Sequence, residues 1–145
     1  MTAKQYLKQI RLIEGRIRRN RNRIGELRAA AAGVRAIRYD GDPVQASPED
    51  VMAEVVGQIV DLERDTAAEI LRLEQLKTEV TDQIHTIGYE DGENVLYMKW
   101  VAGLSFYAIA DQMHYSLRHV HRIHGRALQL LGERCHTMSQ SDVLH

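Results

Sequence analysis

The organisation of the chain is clearest in residues 94–131, NVLYMKWVAGLSFYAIADQMHYSLRHVHRIHGRALQLL. Ser105 and Ser116 each precede a segment with apolar residues at helical spacing. A serine in that place accepts hydrogen bonds from the backbone N–H groups that the first helical turn leaves free. The stretch therefore predicts three short helices, with the second and third starting just after these serines. This is the spacing of a helix-turn-helix.

Two features predict where the helices of this stretch end. Gly103 should end the first helix, because glycine accepts the left-handed conformation without steric cost. His114 and Tyr115 form the predicted turn between the second and third helices, and the small Ala110 suits the place where these helices cross. Glycine would be favoured at such a turn, but histidine adopts left-handed conformations more readily than most other residues.

The third helix, residues 117 to about 131, has one apolar and one basic face. We expect it to bury Val120, Ile123, Ala127 and either Leu130 or Leu131. No acidic residue lies between Asp111 and Glu133. A helix that binds in the major groove needs a basic face, because the arginine guanidinium can donate two hydrogen bonds to the O6 and N7 atoms of guanine. The alternative is a basic helix face that is only solvated. The basic face consists of Arg118, His119, His121, Arg122 and Arg126.

Residues 96–128 resemble the fourth region of bacterial sigma factors. The shared pattern is an apolar helix, a Gly-Leu-Ser step, a helix with Ile-Ala, and a serine-capped helix that ends in Arg-Ala-Leu. The whole chain resembles late-transcription regulators of phages and prophages of the ArpU/RinA kind. This resemblance implies base contacts by Ser116, Leu117, Arg118 and Arg122, and a phosphate contact by His121. Leu117 replaces a residue that is commonly polar, so it either contacts a thymine methyl group or packs.

The N-terminal part predicts a long helix, from residue 2 to about residue 36, with a heptad-like seam. Asn20 interrupts this seam, which either fixes the register or places a polar residue at a solvated edge. The surface is basic: residues 1–38 contain eleven Lys or Arg and two Glu, a net charge of +9. One seam position holds Ala3, Ile10, Ile17, Ile24 and Ala31; the other holds Tyr6, Ile13, Asn20, Leu27 and Val34.

A second long helix is predicted from Pro48 to about Ile87, after a turn at residues 40–43. Ser47 is its expected cap, and Thr66 and Glu69 weaken the middle of its apolar pattern. Residues 48–87 contain ten acids and three bases, a net charge of −7. Opposite charges favour an antiparallel hairpin that serves as a spacer and oligomerisation arm. A second interpretation adds contacts of the arginine-rich helix with DNA phosphates or RNA.

We therefore expect an all-α fold: a long antiparallel coiled-coil helical hairpin followed by a small three-helix helix-turn-helix domain. Residues 1–87 would form the hairpin and residues 88–93 a hinge, in which Asp91 caps the next helix. Residues 94–131 would form the DNA-binding domain, and residues 132–145 a disordered tail.

Several function classes are disfavoured by the sequence of 145 residues. No apolar run approaches a membrane span, and the charged N-terminus does not resemble a signal peptide. The single cysteine, Cys135, indicates a reducing cytoplasm. The resemblance to phage and prophage regulators implies that this is the cytoplasm of a bacterial host. We expect no cofactor and no enzymatic activity, because neither a phosphate loop nor a catalytic triad pattern occurs. A zinc site from His119, His121, His124, Cys135 and His136 is disfavoured by its spacing.

Two functions fit these features. The first is a sequence-specific regulator of phage or prophage transcription that binds double-stranded DNA as a homo-oligomer, and that either assists host RNA polymerase or acts by occupying DNA. The second is a small terminase subunit, which binds viral DNA and assembles as a packaging ring. A third, a purely structural coiled-coil protein, would not bind DNA specifically.

Overall fold

The computed structural model describes the backbone of residues 1–39 and 48–143, and the side chains of residues 1–33 and 49–135. The described backbone is all-helical and contains no strand, which confirms the predicted all-α class. The predicted cap Ser47, the turn at residues 40–43 and the seam side chain Val34 lie outside the described residues. The elements are α1 (Ala3–Tyr39), α2 (Pro48–His85), α3 (Glu90–Leu96), a π-helical turn (Tyr97–Val101), α4 (Phe106–Met113) and α5 (Leu117–Val143).

These helices belong to two compact units. The larger unit comprises Met1–Leu12 and Leu73–His145, and the smaller unit comprises Ile13–Arg72. Each of the two long helices contributes to both units. The division between the two units therefore falls within α1 and within α2.

The smaller unit buries the predicted seam of α1. Its described core side chains are Ile13, Ile17, Ile24 and Leu27, all at seam positions. On α2, Thr66 is also buried, and its hydroxyl donates to the Leu62 carbonyl over 2.6 Å. Burial of this polar side chain is tolerated because its hydroxyl is hydrogen-bonded within the helix.

The larger unit has a core formed by residues that are far apart in the sequence. The start of α1 contributes Leu7 to this core, and Leu7 is completely buried although it lies outside both seam positions. A two-helix seam would leave such a residue at its edge. In the larger unit the start of α1 lies near both α2 and α5: the Tyr6 hydroxyl donates to Glu79 Oε1 of α2 at 3.0 Å, and Ala3 lies close to Gly132 of α5. The largest completely or nearly completely buried side chains of this unit are Leu7, Ile10, Val80, Ile84, Val95, Leu96, Ile109, Val120, Ile123 and Leu131.

The turns predicted from the sequence are present. Gly103 has a φ of 78°, and His114 is left-handed at φ 58° and ψ 37°. Both serine caps form: Ser105 Oγ accepts from the N–H of Ala108 at 3.2 Å, and Ser116 Oγ accepts from the N–H of His119 at 3.1 Å. These local signals place α4 and α5 as predicted.

The predicted hinge differs from the observed structure. α3 begins at Glu90, and its N-cap residue is Tyr89 rather than Asp91, so residues 90–93 are helical. Gly92 is buried, and a Cβ atom there would lie 2.5 Å from the Tyr89 ring and 2.9 Å from the Ala127 Cβ. Gly92 thus permits close packing of α3 against α5 rather than flexibility.

The C-terminal segment also differs from the expectation. α5 continues to Val143, so residues 132–143, expected to be disordered, are helical. Leu131 is completely buried, and Gly132 lies close to α1, where an added Cβ would be 3.9 Å from the Ala3 Cβ. This packing supports the helix beyond Leu131, and no proline follows to stop it.

Two glycine variants test the packing of α3 on α5. Gly92→Ala should destabilise the protein by about 1–3 kcal/mol, because the methyl group meets Tyr89 and Ala127. Gly125→Ala is the matched control, because nothing lies within 4 Å of its added Cβ. That variant should gain roughly 0.5–1 kcal/mol from helix propensity. Urea unfolding measures both, and equal effects in the two variants would refute the close-packing assignment.

Candidate nucleic-acid interface

α5 is held on its inner side by a small apolar core. Val120 and Ile123 of α5 pack with Ile109 and Ala110 of α4 and Val95 of α3. Burial of these side chains fixes the rotation of α5 about its own axis. The opposite side of the helix is consequently presented outward.

The outward side of α5 bears a row of arginines. Arg118, Arg122 and Arg126 are all exposed, and their spacing of four residues puts them on successive turns, about 6 Å apart. Within the described residues, no ion pair or ring contact involves them. No acidic residue interrupts this side between residues 117 and 132. The row is thus a positively charged strip that no other part of the described chain neutralises.

The first turn of α5 supplies fewer unoccupied groups than the sequence suggested. Ser116 Oγ is engaged as the helix cap, and Leu117 is only partly exposed. His119 packs against Tyr115 with ring centroids 4.8 Å apart in an edge-to-face arrangement. The Tyr115 hydroxyl donates to Asp91 Oδ2 at 3.0 Å, and this hydrogen bond raises the pKa of Tyr115. Asp91 therefore ties α3 to the α4–α5 turn instead of capping α3.

His121 lies beside a cation that the sequence did not single out. Its ring centroid is 4.3 Å from that of Phe106, and the Lys99 ammonium lies 4.4 Å from the same Phe106 centroid. Lys99 is contributed by the π-helical turn, for which the sequence contains no recognisable signal. The arrangement places a lysine and a histidine about one aromatic ring, and it adds a positive group that can contact an anion.

His124 belongs to the core rather than to the outward face. It is 8% exposed, and its Nε2 accepts a hydrogen bond from the Trp100 indole Nε1 at 3.1 Å. Burial lowers the pKa of His124 to about 4, with further lowering by Lys4, His121 and Lys99. The ring is therefore neutral near pH 7, with its proton on Nδ1.

Arg11, near the start of α1, contacts the π-helical turn that carries Lys99 and Trp100. Its guanidinium donates to the Lys99 backbone carbonyl and lies 5.8 Å from the Trp100 ring centroid. A cation over an indole face is attracted by the ring quadrupole. Sequence patterns did not identify this contact, because the partners are 88 residues apart.

Metal-binding and nucleophilic sites receive no support from the described geometry. No group of three or more His, Cys, Asp or Glu side chains within the described residues can hold a metal ion. The His136 side chain lies outside that part of the chain. Burial, with a smaller contribution from Glu79, raises the pKa of the Cys135 thiol, so the reactive thiolate is disfavoured. Over the described residues, no helix is long and apolar enough to cross a membrane.

Comparison with known proteins finds no matching family model, no similar curated protein and no similar solved structure. The assignment of a function therefore rests on the residues and their geometry.

The pKa of His124 predicts a pH dependence of stability. The unfolded chain binds a proton below the ordinary value of 6.5, whereas the folded protein binds it only near pH 4. The contribution of neutral His124 to the free energy of unfolding should be fully present above pH 6.5. It should decrease by about 1 kcal/mol per pH unit as the pH falls towards 4. His124→Gln keeps an acceptor for Trp100 without titrating, so its stability should vary less over this range.

Urea unfolding at several pH values measures this effect. His85→Gln, a change at an exposed histidine, is the control and should retain the dependence of the unaltered protein. An identical pH profile for His124→Gln and the unaltered protein would contradict the role given to His124.

Proposed function

We propose that this protein is a sequence-specific DNA-binding transcription regulator of phage or prophage genes, which reads the major groove with α5. The observation that carries the proposal is the exposed arginine row of Arg118, Arg122 and Arg126 on a helix fixed by a capped turn and an apolar core. An α-helix fits the major groove of B-DNA, and arginine is the best-matched side chain for guanine there.

The roles of the side chains follow from their positions along α5. Arg118 and Arg122 lie near its N-terminus and are proposed to contact bases, together with Ser116 and Leu117. Arg126 is one turn further on and is proposed to bind phosphate. His119 and His121 flank the row, and their rings are oriented by Tyr115 and Phe106. His121 with Lys99 would contact the DNA backbone.

The long helices are proposed to form an antiparallel coiled-coil hairpin. Arg16 pairs with Glu69 at 3.4 Å, and Arg28 pairs with Glu63 at 2.7 Å. A later residue of α1 thus pairs with an earlier residue of α2, as expected for helices that run in opposite directions. These pairs also agree with the opposite net charges of the two segments.

Homo-oligomerisation through α2 is part of the proposal. Its supporting observation is a second apolar stripe, with Val56 48%, Val60 46% and Leu71 62% exposed. These residues recur at helical spacing on one side of α2. Pairing of such stripes between two chains would bury them, and two linked DNA-binding modules would lengthen the site that is read. The resemblance to sigma factor region four makes host RNA polymerase a further proposed partner.

DNA packaging is the second candidate function, because the same apolar stripe could also join subunits in a packaging ring. A small terminase subunit also combines a DNA-binding helix-turn-helix with helical assembly, but it forms a closed ring of many subunits. The mass of the particle separates the two functions.

Arginine variants of α5 test the proposed DNA contact. A preferred duplex would first be selected from a random pool. Arg118→Ala and Arg122→Ala should each then cost about 1–3 kcal/mol in affinity and relax the preference at one position. Arg126→Ala should weaken binding to all duplexes and lower the salt slope by about one. Fluorescence anisotropy at several salt concentrations measures each effect.

Arg134→Ala is the matched control for this series, because it removes an exposed arginine two turns beyond Arg126 on the same helix. It should leave the sequence preference intact. The DNA-reading role of α5 is wrong if folded Arg118→Ala, Arg122→Ala and Arg126→Ala proteins bind DNA as the unaltered protein does.

Light scattering of the purified protein tests the assembly. We expect a dimer or similar small oligomer, and Leu71→Ser should reduce its mass because it weakens the apolar stripe. Leu12→Ser, at a leucine of nearly equal exposure on α1 (64%), is the control and should leave the mass unchanged. A closed ring of many subunits would favour packaging, and a monomer would contradict oligomerisation.

A further inference from the structure

The smaller unit contains an arginine-rich segment that the proposed function of α5 does not use. Residues 16–23 of α1, RIRRNRNR, include five arginines and no acid. Within the described residues, α2 supplies the glutamate partners Glu69 to Arg16 and Glu63 to Arg28, and Glu26 of α1 itself pairs with Arg23. These ion pairs leave Arg18, Arg19 and Arg21 of the same segment without an acidic partner in the described part of the chain.

Three other arginines of residues 16–23 are available to a partner. Arg18, Arg19 and Arg21 are exposed, and no ion pair within the described residues involves them. Ile17 and Ile24 are buried, which fixes the side of α1 that faces the core of the smaller unit. Asn22 lies nine residues after the buried Ile13, about two and a half turns, and so points to the opposite side. Arg18 and Arg19 lie to either side of Asn22, and Arg21 lies on the flank.

We propose that Arg18, Arg19 and Arg21 bind the phosphates of duplex DNA, as a second contact that does not depend on base sequence. This proposal rests on the proposed function of α5 and adds a separate surface to it. Arginine suits the partner because its planar guanidinium forms two parallel hydrogen bonds with a phosphate. The exposed Asn22 amide adds a neutral donor between the charged groups.

Composition favours a duplex over unpaired RNA. Specific recognition of single-stranded RNA relies on aromatic side chains that stack on splayed bases. Residues 7–38 of this chain contain no aromatic residue.

A phosphate contact of this kind explains how the chain binds DNA with a formal net charge of only −1. Affinity depends on the local charge that meets the phosphates, and counterions released by each neutralised phosphate drive binding. The α1 contact would thus supply affinity, and α5 would supply sequence preference.

The test uses the full chain and a triple variant, Arg18→Gln, Arg19→Gln and Arg21→Gln. Affinity is measured for a selected duplex and a random duplex at several salt concentrations. The triple variant should lower the slope of log K against log[salt] by about 2 to 3 on both duplexes, since each lost phosphate contact contributes about 0.9. The ratio of the two affinities should remain unchanged.

The matched control is Arg16→Gln, Arg23→Gln and Arg28→Gln, which removes the same charge from arginines that already have glutamate partners. Its slope should change by clearly less. Replacing Arg18, Arg19 and Arg21 with lysine should preserve most of the slope, because lysine also neutralises phosphate. Circular dichroism checks that all variants remain helical.

Several results would overturn the proposal. An unchanged slope in the glutamine triple variant would do so, as would equal losses in this variant and its control, which would indicate an effect of net charge alone. Binding of an unpaired RNA is measured alongside, and a loss of affinity for this RNA without any loss for DNA would assign the surface to RNA instead. The two proposals fail separately: if Arg118→Ala keeps the sequence preference while the triple variant lowers the slope, the α1 contact stands and the α5 assignment fails.

Discussion

The hydrogen bond between the Trp100 indole and His124 Nε2 is the contact on which the arrangement of the larger unit depends. It joins the π-helical turn to the inner side of α5 at 3.1 Å in a buried site. It requires neutral His124, because the protonated ring has no acceptor to offer. Burial and the nearby cations satisfy this requirement by keeping the pKa of His124 low. Arg11 supports the Trp100 side, so the start of α1 takes part in holding α5.

Because the inner side of α5 is fixed in the core, the side chains that the helix exposes to solvent are fixed as well. Val120, Ile123 and Ala127 face the core. Consequently Arg118, Arg122 and Arg126 lie on the solvent side of α5. Their charge is therefore available for a partner, and the described chain supplies none. On α1, glutamates of α2 pair with some of the arginines, and other arginines within the described residues stay exposed without such a partner. Each helix thus buries one side in its unit and exposes arginines on another.

The sequence predicted the features that depend on a few neighbouring residues. The caps Ser105 and Ser116, the helix end at Gly103 and the left-handed His114 all follow from local backbone chemistry, and the structure contains them. Features that depend on distant partners were missed. The burial of Leu7, the Arg11 contact and the Tyr115–Asp91 hydrogen bond arise only when separate helices meet. Gly92 was misjudged for the same reason: close packing on Ala127, not flexibility, explains it.

Methylation interference tests the central claim, that the arginine row of α5 enters the major groove, most directly. Guanine N7 lies in the major groove, so its methylation should block binding at specific guanines of the selected duplex. Arg118→Ala or Arg122→Ala should make binding insensitive to methylation at one of these guanines. If only adenine N3 methylation in the minor groove interferes, or if both variants retain the full guanine pattern, α5 does not read the major groove.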